Sequence, residues 1–306
     1  MEKNQVSHTA LSTAYIRAYH AKHDFPKIID DFLAHQLLPD DTYATIEEQF
    51  ARSVHYLDPE RAITCPDQAA ALAWSMQSMA IVPITLARSR YAEDMLTEKV
   101  RQGLMQYVIL GAGMDTFAFR RPYLLELLQV FEIDHPATQS FKRNRLTDLG
   151  WNVPEQLHFL PANFTQKNLT EVLADSAYNP QAAACFNWLG VTMFLTRDAV
   201  VGTLRAIADL APAGSSVIFD YMDTDVFVTG RTPKRVQFLM ESVRRLGEPV
   251  ICGFNPLTLD RDLANLGFHL EENLTPSDIQ ERYFQKRSDR YYATENAYIA
   301  HAVVKK

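Results

Sequence analysis

The sequence predicts an α/β fold in which a mostly parallel sheet carries helices on both faces. From Gln106 onward, short apolar runs alternate with stretches of helical spacing, as they do in a doubly wound sheet. The first run, residues 107–110, is typical of a strand buried on both faces of a parallel sheet. The first hundred residues show helical spacing instead, and no low-complexity linker follows them. We therefore predict one domain, with a helical cap over residues 1–100 and a core over residues 101–306.

The composition excludes several classes of function. The chain has 306 residues, of which 47% are hydrophobic and 22% charged, and its formal net charge of −7 makes nucleic acid an unsuitable partner. Cys65, Cys185 and Cys252 follow no disulfide or zinc spacing, so we expect a reducing cytoplasm. The first ten residues lack the apolar segment of a secretion signal. The apolar stretch 69–87 is interrupted by polar residues and a proline, which favours a core helix over a membrane span.

Candidate site residues occur already in the first predicted helix. Residues 7–21 place apolar side chains at helical spacing, and Arg17 and Tyr19 lie among them. His20 and His23 near the end of this helix resemble a metal site, but no distant partner ligand is evident. We therefore predict no metal.

Local signals predict the remaining elements. Residues 64–67 begin a helix that should end near Pro83, and another should start at Ile84. Later strands are predicted at residues 157–160, 183–188, 217–220, 269–275 and 298–304, the last two as a hairpin-like pair, and helices at residues 196–212 and 259–266. An insertion at residues 223–250 contains an amphipathic helix with a basic face. It is predicted to form a lid over the C-terminal edge of the sheet, with an ordinary packed helix as the alternative.

A glycine turn after the first core strand is the predicted ligand site. The missing Cβ atoms of Gly111 and Gly113 allow a tight turn and a close approach of a ligand to the backbone. A second apolar run ends in Asp134, 21 residues beyond Gly113, where an acid can accept both hydroxyls of a ribose. The third glycine of a dinucleotide site is replaced by Thr116, and Asp115 lies where phosphates would bind. The pattern favours S-adenosylmethionine over NAD or FAD, and a plain turn is the alternative.

Four segments in order carry a family resemblance. They are LGAGMDTFAFR at residues 110–120, FEIDHP at 131–136, FNWLGVTMFLT at 186–196 and VIFDY at 217–221. On these segments the chain resembles the leucine carboxyl methyltransferase family over most of its length, and more closely the bacterial branch that includes polyketide O-methyltransferases. The resemblance implies a Rossmann-like class I methyltransferase with a seven-stranded sheet and S-adenosyl-L-methionine as cofactor.

The same resemblance assigns residues to the site. Arg88 best matches the arginine that binds the carboxylate of the methionine part, with Arg90 as the alternative, because a guanidinium grips a carboxylate through two parallel hydrogen bonds. The positions implied for the cofactor are Arg88, Gly111, Gly113, Asp134, Asn163, Phe164, Leu189 and Gly190. Asn163 stands where the family usually has an acid near the adenine, and Leu189 where eukaryotic members have a glutamate. Arg17, which matches a family arginine, Tyr19 and Tyr221 are the candidates for contact with the methyl acceptor.

The predicted function is O-methylation of a carboxylate or hydroxyl of a small molecule. A carboxylate is favoured because it is ionised at neutral pH and needs no base. We name no catalytic residue, since holding donor and acceptor in line supplies much of the rate. Methylation of a protein C-terminus and binding of S-adenosylmethionine without catalysis are the alternatives. A monomer or homodimer without a membrane partner is expected.

Overall fold

A computed structural model gives the structure of residues 5–163 and 168–305. Several helices begin where a capping side chain precedes the first helical turn. Ser7 and Asp67, for example, accept hydrogen bonds from the N–H groups of Ala10 and Ala70. The helices that precede the sheet are α1 (His8–His23), α2 (Asp40–Arg52), α3 (Val54–Leu57), α4 (Pro59–Thr64), α5 (Gln68–Ser78) and α6 (Ile81–Arg101).

The described residues form one mixed sheet. Its strands are β1 (Gln106–Leu110), β2 (Gln129–Asp134), β3 (Leu157–Pro161), β4 (Ala184–Trp188), β5 (Ser216–Met222), β6 (Phe268–Leu274) and β7 (Ala297–Val304). Their order is β3-β2-β1-β4-β5-β7-β6, a seven-stranded sheet. The first five strands in this order run parallel, while β7 is antiparallel to both of its neighbours. The predicted α/β fold with a mostly parallel sheet is confirmed, although the sheet is mixed rather than purely parallel.

Helices cover both faces of this sheet. Those that follow β1 are α7 (Phe117–Arg120), α8 (Pro122–Leu125), α9 (Pro136–Asp148), α10 (Leu169–Ala174), α11 (Arg197–Leu210), α12 (Lys234–Arg245), α13 (Leu259–Ala264) and α14 (Pro276–Ile279). Side chains alternate along a strand, so Tyr107 and Ile109 of β1 pack in the apolar layer that includes α1 and α6. Val108 and Leu110 pack in the layer of α10, α11 and α13. We call these the cap face and the opposite face.

One predicted boundary was wrong. Pro83 does not end a helix: the break falls at Met79, whose backbone is extended, and Pro83 lies in the first turn of α6. A proline is tolerated there because the first N–H groups of a helix have no partner within it. The last two strands form the predicted antiparallel pair, and α14 and the helical turn Gln280–Phe284 lie in the connection between them.

The 223–250 insertion contains a short 3-10 turn and α12. Arg235, expected on the solvated basic face of that helix, is buried. Its Nε donates to Glu295 at 2.7 Å, and its guanidinium lies 3.5 Å from the ring centroid of Tyr292. Arg244 and Arg245 are exposed. The apolar side of α12 contributes Val236 to the same cluster as the cap helices, while its role as a lid and the division into cap and core stay predictions.

No single helix among residues 5–163 and 168–305 is both long enough and apolar enough to cross a membrane. Helices α5 and α6 would meet those criteria only as a pair, and they bend by 60° where they join.

Candidate functional site

The carboxyl ends of β1, β2, β4 and β5 meet at one edge of the sheet. We call this region, formed by residues 111–116, 134–135, 189–191 and 220–223, the site edge. Gly111 adopts a left-handed φ of 73°, and a Cβ there would come within 2.4 Å of Val191 Cγ2 in the turn after β4. The N–H of Gly113 donates to Asp134 Oδ2. The glycine turn thus contacts the ends of both neighbouring strands.

Asp134 ends β2 and binds the glycine turn. Besides the N–H of Gly113, its carboxylate accepts the N–H of His135 at 2.6 Å. Burial raises the pKa of Asp134 to about 6, although both N–H donors act in the lowering direction. Each carboxylate oxygen has a second lone pair. The two hydrogen bonds therefore leave acceptor capacity for two ribose hydroxyls.

Arg88 reaches the site edge from α6. Its Nη1 lies 2.7 Å from Asp220 Oδ2, and the residue is 9% exposed. Its guanidinium packs on Gly190, where a Cβ would come within 2.5 Å of Nη2. Arg90, the alternative considered from the sequence, forms a surface ion pair with Asp94. The structure therefore brings Arg88, and not Arg90, to the site edge.

Asp220 is a site residue that the sequence analysis missed. One of its oxygens pairs with Arg88, and the other accepts the N–H of Gly190 at 2.6 Å. The residue is 1% exposed, so it fixes the arginine and the turn after β4 in one arrangement. The available signal was an acid inside the buried run VIFDY, because a charge in a buried strand requires a partner.

The remaining predicted cofactor positions also border the site edge where they are described. Leu189 follows β4 directly and packs, partly buried, on the cap-face cluster. Asn163 follows β3, next to Ala162, whose N–H donates to the carbonyl of Asp134 at 2.8 Å. Phe164 lies outside the described residues.

Arg17 belongs to a buried ionic cluster that holds α1 on the glycine turn. Its Nε lies 2.8 Å from Asp31, and its Nη2 donates to the carbonyl of Met114 at 2.7 Å. Asp31 is fully buried and also binds Arg120 at 3.1 Å and the hydroxyl of Thr116 at 2.6 Å. Burial opposes ionisation of Asp31, but the two guanidinium groups hold its pKa below the usual range. These contacts favour a docking role for Arg17 over the predicted contact with the acceptor.

The side chains of the two tyrosines predicted near the acceptor are buried and make their contacts within the protein. Tyr19 is buried in the cap with its ring 4.5 Å from that of His23, and burial raises its pKa to about 12. Tyr221 follows Asp220 and therefore points to the opposite face of the sheet. There it stacks on Tyr298 at 5.2 Å, and its hydroxyl bonds to Asn273 at 3.0 Å. These positions do not favour acceptor contacts. Tyr19 packs in the cap-face cluster, and the alternation of side chains along β5 places Tyr221 in the cluster of the opposite face.

A small cavity lies between the cap helices and α12, and we call it the α1–α12 cavity. Its volume is about 50 Å³, and its lining includes Thr9, Ser12, Phe50, Ile81, Phe238 and Ser242. Among the described residues that line it, none has an ionisable side chain. Ala10, which follows the lining residue Thr9 in α1, lies over the glycine turn. A Cβ on Gly113 would come within 3.0 Å of the Ala10 Cβ. The first turn of α1 thus separates the cavity from the glycine turn.

The other titratable groups beside the site edge have partners within the protein. Asp223 accepts from Asn296 and from the N–H of Asp225, and burial raises its pKa. Glu248 accepts both the hydroxyl and the N–H of Thr9. The Nδ1 atom of His135 accepts the N–H of Ala137 at 3.3 Å, and partial burial lowers its pKa.

The arrangement fits a ligand with a ribose and a carboxylate. The glycine turn leaves its backbone open to close approach, and Asp134 has acceptor capacity for hydroxyls. Arg88 presents a buried guanidinium that Asp220 engages through a single nitrogen, and a guanidinium carries five N–H donors. These are the groups that S-adenosylmethionine requires.

Comparison with known proteins agrees with this chemistry. The family model described as leucine carboxyl methyltransferase matches residues 10–208. The chain is 36% identical over 306 residues to YktD of Bacillus subtilis (strain 168), with 100% of both chains covered. YktD is provisionally named an S-adenosyl-L-methionine-dependent methyltransferase.

Two crystal structures share the fold. One is a DUF574 family protein from Streptomyces avermitilis MA-4680, with a TM-score of 0.60, 13% identity and 98% of both chains covered. The other is a provisionally named methyltransferase from Thermobifida fusca YX, with a TM-score of 0.54, 14% identity, and 84% of this chain and 94% of that chain covered. On the family model and the match to YktD, the chain belongs to the leucine carboxyl methyltransferase family and is an S-adenosyl-L-methionine-dependent methyltransferase.

Proposed function

We propose that this methyltransferase transfers a methyl group to an oxygen of a small molecule, and that a carboxylate oxygen is preferred over a hydroxyl. The observation that carries the proposal is that three acids of the site edge, at positions 134, 220 and 223, already have partners within the protein. Asp134 is bound by two N–H groups, Asp220 by Arg88, and Asp223 by Asn296. None of these acids is placed as a free general base. An acceptor that is already ionised suits such a site, and a carboxyl group has a pKa of about 4.

The chain's own residues would hold the cofactor and exclude water. When bound, S-adenosylmethionine supplies a methyl group on a positively charged sulfur. Arg88, held by Asp220, would bind the methionine carboxylate, and Asp134 would accept the ribose hydroxyls. Asn163 would accept from the adenine amino group through its side-chain carbonyl. Orientation of the two reactants contributes on the order of 7–11 kcal/mol to such a transfer.

The family also supports a carboxylate acceptor, because its description names methylation of a leucine carboxyl group. A hydroxyl acceptor would need a base, and His135 is the candidate. Its lowered pKa keeps the imidazole neutral at neutral pH, and its Nδ1 caps α9.

The test measures transfer of a labelled methyl group to hexanoic acid, 1-hexanol and a peptide that ends in leucine. We expect transfer to hexanoic acid, with a rate at saturating cofactor that is flat between about pH 6.5 and 8.5. The product should be an ester that base hydrolyses. Labelling confined to the peptide would favour the protein-carboxyl alternative, and a base-stable ether would overturn the preference for a carboxylate.

A variant of His135 separates the two oxygen acceptors. His135→Asn keeps a side chain that caps helices well and removes the base. Transfer to a carboxylate should be unchanged in this variant. If a hydroxyl is the acceptor and His135 is its base, the rate should fall on the order of 100-fold.

A further inference from the structure

We propose that the hydroxyl of Thr85 donates a hydrogen bond to the methionine carboxylate of the cofactor, beside the guanidinium of Arg88. Thr85 is thus a second residue of α6 that binds this carboxylate, and the sequence analysis assigned it no role. This inference rests on the proposed role of Arg88, and it does not depend on the identity of the methyl acceptor.

The hydroxyl of Thr85 is buried and has a free donor. The residue is 1% exposed, and its Oγ1 makes no hydrogen bond within residues 5–163 and 168–305. A threonine inside a helix can donate to the carbonyl four residues earlier. Thr97, farther along α6, does so to the carbonyl of Glu93 at 2.7 Å. Thr85 does not use this acceptor, so its donor is available to a ligand. A buried hydroxyl without a partner costs free energy, which a ligand oxygen would recover.

The direction of α6 places Thr85 over the site edge. Arg88 packs on Gly190, which lies just past the carboxyl end of β4. The helix ends at Arg101, shortly before the amino end of β1. It therefore runs from the site edge toward the amino ends of the parallel strands. Thr85 precedes Arg88 by three residues, about 4.5 Å along the axis, and so lies beyond the carboxyl ends of the strands.

Thr85 and Arg88 are neighbours on the side of α6 that packs on the sheet. Ala92 and Leu96, seven and eleven residues after Thr85, lie within about 20° of it around the helix axis. Both belong to the apolar cluster of the cap face. Side chains three residues apart are adjacent on a helix, and a long side chain points back over the preceding turn. The side chain of Arg88 therefore extends over the turn that carries Thr85.

The two side chains together suit the two oxygens of one carboxylate. Arg88 gives Nη1 to Asp220 and keeps further N–H donors. Thr85 adds one O–H donor without adding a second positive charge to the buried site. Hydrogen bonds to an ionised acceptor are stronger than those between neutral groups. A ligand that lacks the carboxylate should gain nothing from Thr85.

The experiment measures how Thr85→Val binds S-adenosylhomocysteine, which has the carboxylate, and adenosine, which lacks it. Valine keeps the branched shape and removes the hydroxyl. By calorimetry, the affinity for S-adenosylhomocysteine should fall roughly tenfold, while that for adenosine should not change. The midpoint of denaturant unfolding should stay the same or rise, because the variant removes a buried hydroxyl without a partner. Binding and stability should therefore not fall together.

Two further variants serve as controls. Thr85→Ser keeps the hydroxyl and should retain most of the affinity for S-adenosylhomocysteine. Thr97→Val makes the same change where the hydroxyl donates within the helix, and it should leave both affinities unchanged. Arg88→Lys is measured in parallel and should weaken S-adenosylhomocysteine alone, because an ammonium cannot make the paired planar contact.

The outcomes separate Thr85 from Arg88. Selective loss of S-adenosylhomocysteine in Thr85→Val and in Arg88→Lys, with recovery in Thr85→Ser, supports the inference. Selective loss in Arg88→Lys alone overturns it and keeps the role of Arg88, and no selective loss in either variant rejects both roles. If Thr85→Val loses both ligands equally and unfolds earlier, the residue acts on the fold and the inference is overturned. The labelled-methyl assay identifies the acceptor independently of these results.

Discussion

The Asp220 carboxylate joins two predicted cofactor contacts, Arg88 and Gly190, through one hydrogen bond to each. Asp220→Asn would leave the buried guanidinium without a charged partner, and breaking a buried pair in this way costs about 3–5 kcal/mol. We expect a lower free energy of unfolding and an affinity for S-adenosylhomocysteine at least tenfold weaker, since each 1.4 kcal/mol is about tenfold in affinity. Calorimetry measures the affinity, and denaturant unfolding measures the stability.

The control for the Asp220 variant is a residue of α6, the helix that carries its partner Arg88. Asp94→Asn breaks the exposed ion pair of Asp94 with Arg90, and such surface pairs contribute about 0–1 kcal/mol. Adenosine, which has no carboxylate, serves as the second ligand. If Asp220→Asn weakens the binding of adenosine and of S-adenosylhomocysteine equally, Asp220 acts on the fold and not on the orientation of Arg88.

The raised pKa of Asp134 predicts that cofactor binding depends on pH. Burial raises its pKa to about 6, so the carboxylate takes up a proton as the pH falls through that value. The protonated form has lost acceptor capacity for the ribose hydroxyls. The affinity for S-adenosylhomocysteine should therefore be constant above about pH 7 and fall roughly tenfold by about pH 5. Asp134→Asn should bind weakly at every pH. Calorimetry that finds the same wild-type affinity at both ends of this range would contradict the assignment.

At the scale of elements, α1 is fixed to the glycine turn by a charge cluster in which Asp31 holds both Arg17 and Arg120. Asp31→Asn removes a fully buried carboxylate from the buried guanidinium of Arg120 and the partly buried one of Arg17. We expect this change to lower the free energy of unfolding by about 3–5 kcal/mol. We also expect limited proteolysis to cut α1 sooner in this variant, because its link to Met114 depends on the position of Arg17.

The neighbouring residue offers a matched control for Asp31. Asp30 pairs with Lys27 at the surface, where its side chain is 51% exposed. Asp30→Asn should therefore change the stability by less than about 1 kcal/mol. Equal unfolding curves for the Asp31 and Asp30 variants would show that the buried cluster does not fix α1.

Element boundaries were predictable where the signal is local. Ser7 and Thr196 are the first residues of two predicted helices, and their side chains cap α1 and α11. The break at Met79 was misplaced to Pro83, because a proline suits the first turn of a helix as well as its end. The burial of Arg235 was missed for a different reason. Its partner Glu295 is 60 residues away in the chain, and no periodicity of α12 reveals it.

At the scale of the whole molecule, the parallel arrangement of β1 to β5 places five carboxyl ends at one edge. The four family segments occur in the order that this fold requires. Their residues agree with the predicted cofactor. The sequence did not show that β7 inserts between β5 and β6, because that position depends on packing and not on the strand's own residues. The expected monomer or homodimer and the cytoplasmic location stay predictions.

By itself the sequence determined the strands, the glycine turn and the cofactor class. These depend on local properties: β-branched residues favour extended backbone, a missing Cβ permits a left-handed φ, and an acid follows at the spacing of a ribose contact. Only the tertiary structure decided which side chains meet. Asp220 and Arg88 lie 132 residues apart in the chain, and the alternation of β5 turns Asp220 toward the cap face and Tyr221 away from it. Likewise, the ion pair with the buried Asp31 indicates that Arg17 holds α1 on the glycine turn. The physical reason is that burial and register are properties of the packed chain, and they select the partner of each charge.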